Sequence, residues 1–90
     1  DPSIPPQLGR VYRAMGDLEA AEQHLQATLR AQPAHGRGNY ELALVYEARG
    51  QRAEAIRHLE SALATWASAD EAYEYPQLAR DKLAALKSAG

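Results

Sequence analysis

Histidine is the side chain best suited to metal ligation or proton transfer near neutral pH, and this chain has three, at positions 24, 35 and 58. A zinc site needs three or four nitrogen, thiolate or carboxylate ligands converging at about 2.0–2.3 Å. The chain has no cysteine, and no helix face around His24 or His58 offers the full set of ligands. Exposed or groove-edge positions are therefore expected for His24 and His58. A surface position beside a glycine-rich helix start is expected for His35, and no metal is expected.

Other catalytic chemistries find little support. The sequence contains no glycine-rich phosphate loop, no nucleophile elbow and no HExxH helix. Glu19, Glu22, Glu41, Glu54 and Glu60 fall on amphipathic stretches, where a solvated face is the expected role. The sequence thus predicts no catalytic residue, no cofactor and no enzyme activity.

His24 and His58 are 34 positions apart, and that interval is general. A shift of 34 superposes Leu8, Val11, Tyr12, Ala14, Gly16, Ala21, His24, Leu25 and Leu29 on Leu42, Val45, Tyr46, Ala48, Gly50, Ala55, His58, Leu59 and Leu63. A fixed period of this length marks stacked supersecondary units. Leu8, Val11, Tyr12 and Met15 fall at i, i+3, i+4 and i+7, one face of a helix, and Leu18, Ala21, Leu25 and Leu29 form a second stripe. Between them Gly16 can close a helix in the left-handed conformation, and Asp17 can cap the amides of the next. The second copy repeats the plan with Gly50 at the turn and Ile56, Leu59, Leu63 and Trp66 on its second helix. Gln51 is a weaker cap than Asp17.

The spacing predicts helices at about 6–15, 18–31, 36–49 and 52–66, with Pro33 marking where the repeats meet. A linker is expected over 68–75. Pro76 then suits the first turn of a fifth helix over 76–89, whose apolar stripe is Leu78, Ala79, Leu83 and Leu86. One apolar stripe with Arg80, Asp81, Lys82 and Lys87 around it fits a terminal cap. The units are an N-terminal extension over 1–5, a first repeat over 6–33, a second over 34–67, the linker and the capping helix.

Bulk properties agree with one small domain. Alanine and leucine dominate, phenylalanine is absent, and apolar residues make up 46% of the chain, which favours helix over strand and folding over disorder. A net charge of −2 offers no global attraction for nucleic acid or anionic membrane. No apolar run reaches the roughly 18 residues of a membrane span, and the first residues lack the character of a signal peptide. The expected location is cytoplasmic by default. The chain does not begin with methionine, so a segment of a longer protein, or a processed one, is expected.

These residues resemble the tetratricopeptide repeat. Leu8-Gly9, Tyr12, Gly16, Ala21, Leu25 and Pro33 match its pattern in the first copy, and Leu42-Ala43, Tyr46, Gly50, Ala55, Leu59 and Ala62 match it in the second. The sequence departs at Ile4-Pro5-Pro6, where the family's first helix would already have begun, and at Ala67, which replaces the closing proline. The resemblance implies an all-α, right-handed α-solenoid of antiparallel helix pairs, with Gly9, Ala21, Ala43 and Ala55 letting paired helices approach closely.

The resemblance also implies a protein or peptide partner held on the concave face. Arg10 and Arg13 point away from the first packing stripe, and the same face of the next repeat carries Arg37, Tyr40, Leu44 and Glu47. These six are the candidate groove residues: Tyr40 and Leu44 as an apolar floor, the arginines as partners for carboxylates. The competing expectation is that the fifth helix folds back over Tyr40 and Leu44. The family's chaperone-tail clamp is not expected, because the comparable positions hold Pro6, Arg10 and Leu44. Two repeats plus one helix fall short of the roughly three units a stable stack needs. The alternatives are therefore self-association, or contact with neighbouring repeats of a parent protein. RNA reading by helical repeats is disfavoured by the acidic balance.

Overall fold

A computed structural model describes residues 16–67 and 74–88. They form four helices, α1 (Leu18–Ala31), α2 (Gly36–Ala48), α3 (Arg52–Thr65) and α4 (Glu74–Ser88), with no strand among the described residues. The helix expected over 6–15 lies outside them. The boundaries of α1, α2 and α3 fall within one residue of those read from the periodicity. The fifth expected helix is α4, which starts two residues before Pro76 and keeps that proline in its first turn.

The turns follow from local chemistry. Gly16 and Gly50 have φ of 83° and 77°, values that cost almost any other residue strain. Asp17 accepts a hydrogen bond from the Ala20 amide at 3.0 Å and caps α1. Gln51 gives α3 no side-chain cap. At α2 the cap is His35, whose Nδ1 accepts from the Gly38 amide at 3.0 Å. The expected surface histidine is thus part of the helix start.

Small residues sit where the helices meet. Ala21 on α1, Ala43 on α2 and Ala55 on α3 are fully or almost fully buried, as are Leu25, Leu42, Val45 and Leu59. Successive helices pack against one another, α1 on α2, α2 on α3 and α3 on α4. Among the described glycines, Gly36 has the least room for a side chain: a Cβ there would lie 2.4 Å from the Trp66 indole nitrogen. Trp66 itself is the C-cap residue of α3 rather than a member of its stripe. Thr65 ties the same end of α3 back by donating to the Ala34 carbonyl at 2.8 Å.

Helix α2 departs from simple amphipathicity, because Gly36, every residue from Gly38 to Ala43, Val45 and Tyr46 are buried. Glu41, expected on a solvated face, is 1% exposed and bound by the Arg37 guanidinium at 3.1 Å. A helix covered on several sides gives its carboxylate no water, so an ion pair has to replace hydration. Asn39 is also buried: its amide nitrogen donates to the carbonyls of Pro33 at 3.1 Å and His35 at 3.2 Å. On α4 the expected stripe is narrower than its sequence, with Ala79 and Leu86 buried but Leu78 exposed.

Candidate functional site

Tyr40, Leu44 and Glu47 fall three and four residues apart on α2, so they share one face. That face borders an open groove of about 560 Å³, completed by Gly16 and Leu18 at the start of α1 and by Lys82 of α4. Leu18, Tyr40 and Leu44 make the floor apolar. Glu47 and Lys82 meet across the rim at 3.0 Å, one side chain from α2 and one from α4. This ion pair is about one-third exposed on each side, so it contributes less than about 1 kcal/mol to stability. Its main effect is to define the groove edge with one charge of each sign.

The aromatic end of the floor is firmer. Tyr40 packs against Trp66, with ring centroids 6.2 Å apart, and edge-to-face against Tyr75 of α4 at 5.7 Å. Trp66 and Tyr75 close the triangle at 6.2 Å. The Arg37 guanidinium lies 4.2 Å from the Tyr75 ring centroid while it holds Glu41. Arrangements of this kind add about 0.5–1.5 kcal/mol per aromatic pair beyond burial. The cluster fixes the first turn of α4 against the repeat.

The structure therefore brings Tyr40, Leu44 and Glu47 together on one groove. Tyr40 is covered by Trp66 and Tyr75 to 8% exposure, whereas Leu44 is half-buried and borders open space. Arg37 stands at the aromatic end and directs its charge to Glu41 and Tyr75 instead of into the groove. Arg10 and Arg13 lie outside the described residues. Lys82 and Leu18 belong to the same groove, where periodicity does not place them. Lys82 carries a weak signal, a cation on the helix that caps the repeat, and the spacing of Leu18 assigns it only to the core stripe.

On the opposite side of α2, His58 is half-buried and borders a second cleft. Its ring stacks on Tyr46, centroids 5.5 Å apart and planes 28° from parallel, and its Nδ1 lies 2.8 Å from the Asn39 Oδ1. Burial, reinforced by the neighbouring Arg57 charge, holds the imidazole below its ordinary range. Tyr46 shifts upward because of burial, while the hydrogen bond from Gln26 opposes that rise.

Helices α2 and α3, joined across the left-handed Gly50, with α1 packed on α2 and small residues at the contacts, form the kind of helical hairpin from which stacked-repeat proteins are built. The sequence profile of the tetratricopeptide repeat matches residues 8–74. The chain belongs to that family. No curated protein and no solved structure gives a significant match. The family is typically non-catalytic and generally serves as a protein-interaction scaffold. No described helix is long and apolar enough to cross a membrane.

Proposed function

We propose that this chain is a non-catalytic interaction module that receives an extended or helical peptide segment in the groove between α1, α2 and α4. The observation that carries this reading is the groove itself: an apolar floor of Leu18, Tyr40 and Leu44 beside a rim with one cation and one anion. Such a surface suits a partner with an apolar anchor flanked by polar or charged groups, because burial of the anchor supplies affinity and the rim charges set orientation. Arg10 and Arg13 would extend the cationic side of the same face. Arg37 would act through Tyr75 and Glu41, holding the aromatic end of the floor in place.

The test is selection of binders from a random peptide display library on the wild-type chain, followed by affinity measurements on variants. Leu44→Lys is expected to weaken the selected peptides at least about tenfold, since it puts an ammonium on an apolar contact. Lys82→Glu should change which flanking charges are preferred. Peptides whose affinity is indifferent to both substitutions would remove the groove as the binding surface.

A further inference from the structure

Leu42 and Tyr46 lie two residues on from Tyr40 and Leu44, about 200° around α2 at roughly 100° per residue. They floor a second cleft of about 350 Å³ on the other side of the helix, with Gln26, Leu29 and Arg30 from α1 and Arg57 and His58 from α3 as its walls. We propose that this cleft is a second interaction site, which holds a carboxylate side chain of an acidic, leucine-bearing segment of a partner protein between Arg30 and Arg57. The proposal is independent of the groove reading, because the two surfaces share no residue.

Charge complementarity is the basis. Arg30 lies exposed in the last turn of α1 and has no carboxylate partner among the described residues. Arg57 pairs with Glu54 three residues earlier on its own helix, and both side chains are largely exposed, at 66% and 44%. A pair that open to water is worth little, so an incoming carboxylate can displace it. Glu22, the other acidic group near Tyr46, is engaged by Arg49 and Gln26. Two guanidiniums therefore flank a cleft lined by Leu29, Leu42 and the Tyr46 and His58 rings, and a carboxylate next to an apolar side chain satisfies both parts.

His58 gives the cleft a third, conditional donor. The Asn39 amide nitrogen already donates to two carbonyls, so its oxygen is the group facing His58 Nδ1. That nitrogen must carry the proton, leaving Nε2 with a lone pair on the far side of the ring. Protonation of Nε2 adds a charge and an N–H without breaking the Asn39 contact. The charged and titratable groups around it are Arg57 and Glu54 on its own helix, Tyr46 stacked on its ring, Arg30 across the cleft, and the Glu22–Arg49 pair beside Tyr46. A bound carboxylate favours the imidazolium, and by linkage lower pH favours the bound carboxylate. Nucleic acid fits less well: two cations in one cleft with an apolar floor are not the extended basic stripe that phosphate backbones need.

The experiment uses the full chain, ¹⁵N-labelled, titrated with the peptide acetyl-Asp-Leu-Glu-Leu-Asp-amide. Shifts should concentrate on Arg30, Tyr46, Arg57 and His58, and the His58 titration midpoint should rise at saturation. The Arg30→Gln, Arg57→Gln double variant, changed only at exposed positions and checked for unaltered helicity, should bind about tenfold or more weakly. Leu44→Lys should leave this affinity unchanged. Absent shifts, shifts confined to Tyr40 and Leu44, or an equal response to acetyl-Asn-Leu-Gln-Leu-Asn-amide would overturn the proposal. So would tighter binding of an oligouridylate than of the acidic peptide.

Discussion

The Asn39 side-chain oxygen and His58 Nδ1 are 2.8 Å apart, which joins the first turn of α2 to the middle of α3. Because Asn39 also holds the carbonyls of Pro33 and His35, one buried amide organises the link between α1 and α2 and the register of α2 on α3.

Replacing Asn39 by alanine removes those bonds together and leaves buried polar partners unsatisfied. Destabilisation of about 2–4 kcal/mol is expected, larger than for loss of one ordinary hydrogen bond. Chemical denaturation of the wild type and Asn39→Ala measures it. A loss below about 0.5 kcal/mol would show that water readily replaces the amide.

The lowered His58 pKa makes stability depend on pH. The unfolded chain binds the proton near pH 6.5, while the folded chain resists it until lower pH, so between the two values the unfolded state binds more protons. Stability should therefore fall as pH drops from about 6.5 through the lowered folded value. His58→Gln should flatten this part of the stability profile, as followed by thermal melts at constant ionic strength.

Gly36→Ala tests the close approach of α2 to Trp66. Its methyl would overlap the Trp66 indole, and the gain in helix propensity, at most about 1 kcal/mol and less at the first position of a helix, cannot offset the displacement of a ring packed against Tyr40 and Tyr75. A net loss of about 1–3 kcal/mol is expected. An increase in melting temperature would mean that the indole moves away at little cost.

Tyr75→Ala should loosen α4 selectively. It removes contacts with Tyr40, Trp66 and Arg37, while the Lys82–Glu47 and Lys87–Glu60 pairs, at least one-third exposed, compensate little. Hydrogen exchange should accelerate across 76–88 by about tenfold or more, with α2 and α3 much less affected. The double replacement Lys82→Ala, Lys87→Ala should have a smaller effect.

The repeat, the helices and their turns were legible from the chain because they rest on local and periodic information. Gly16, Asp17 and Gly50 specify their own backbone geometry or cap, and Leu25 and Leu59 recur on core stripes at one interval. Of the candidate groove, Tyr40, Leu44 and Glu47 were legible as a shared face because three- and four-residue spacing sets that face. Which faces would be covered is another matter. Periodicity assigns α2 one stripe, but α1, α3 and the aromatic residues that follow enclose it on several sides, so Glu41 is buried and Tyr40 sits beneath Trp66 and Tyr75.

Tertiary structure alone decided the pairings between distant residues. Glu47 and Lys82 form the groove rim across 35 positions, His58 meets Asn39 across 19, and Arg37 lies on Tyr75. No local spacing encodes these contacts, since they depend on how α4 and α3 are placed around α2. The sequence by itself determined a repeating helical hairpin and its turns, where hydrogen bonding and side-chain period act within a few residues. The packed structure determined which charges are neutralised and which apolar side chains border open space, because those outcomes depend on neighbours brought together only when the helices stack.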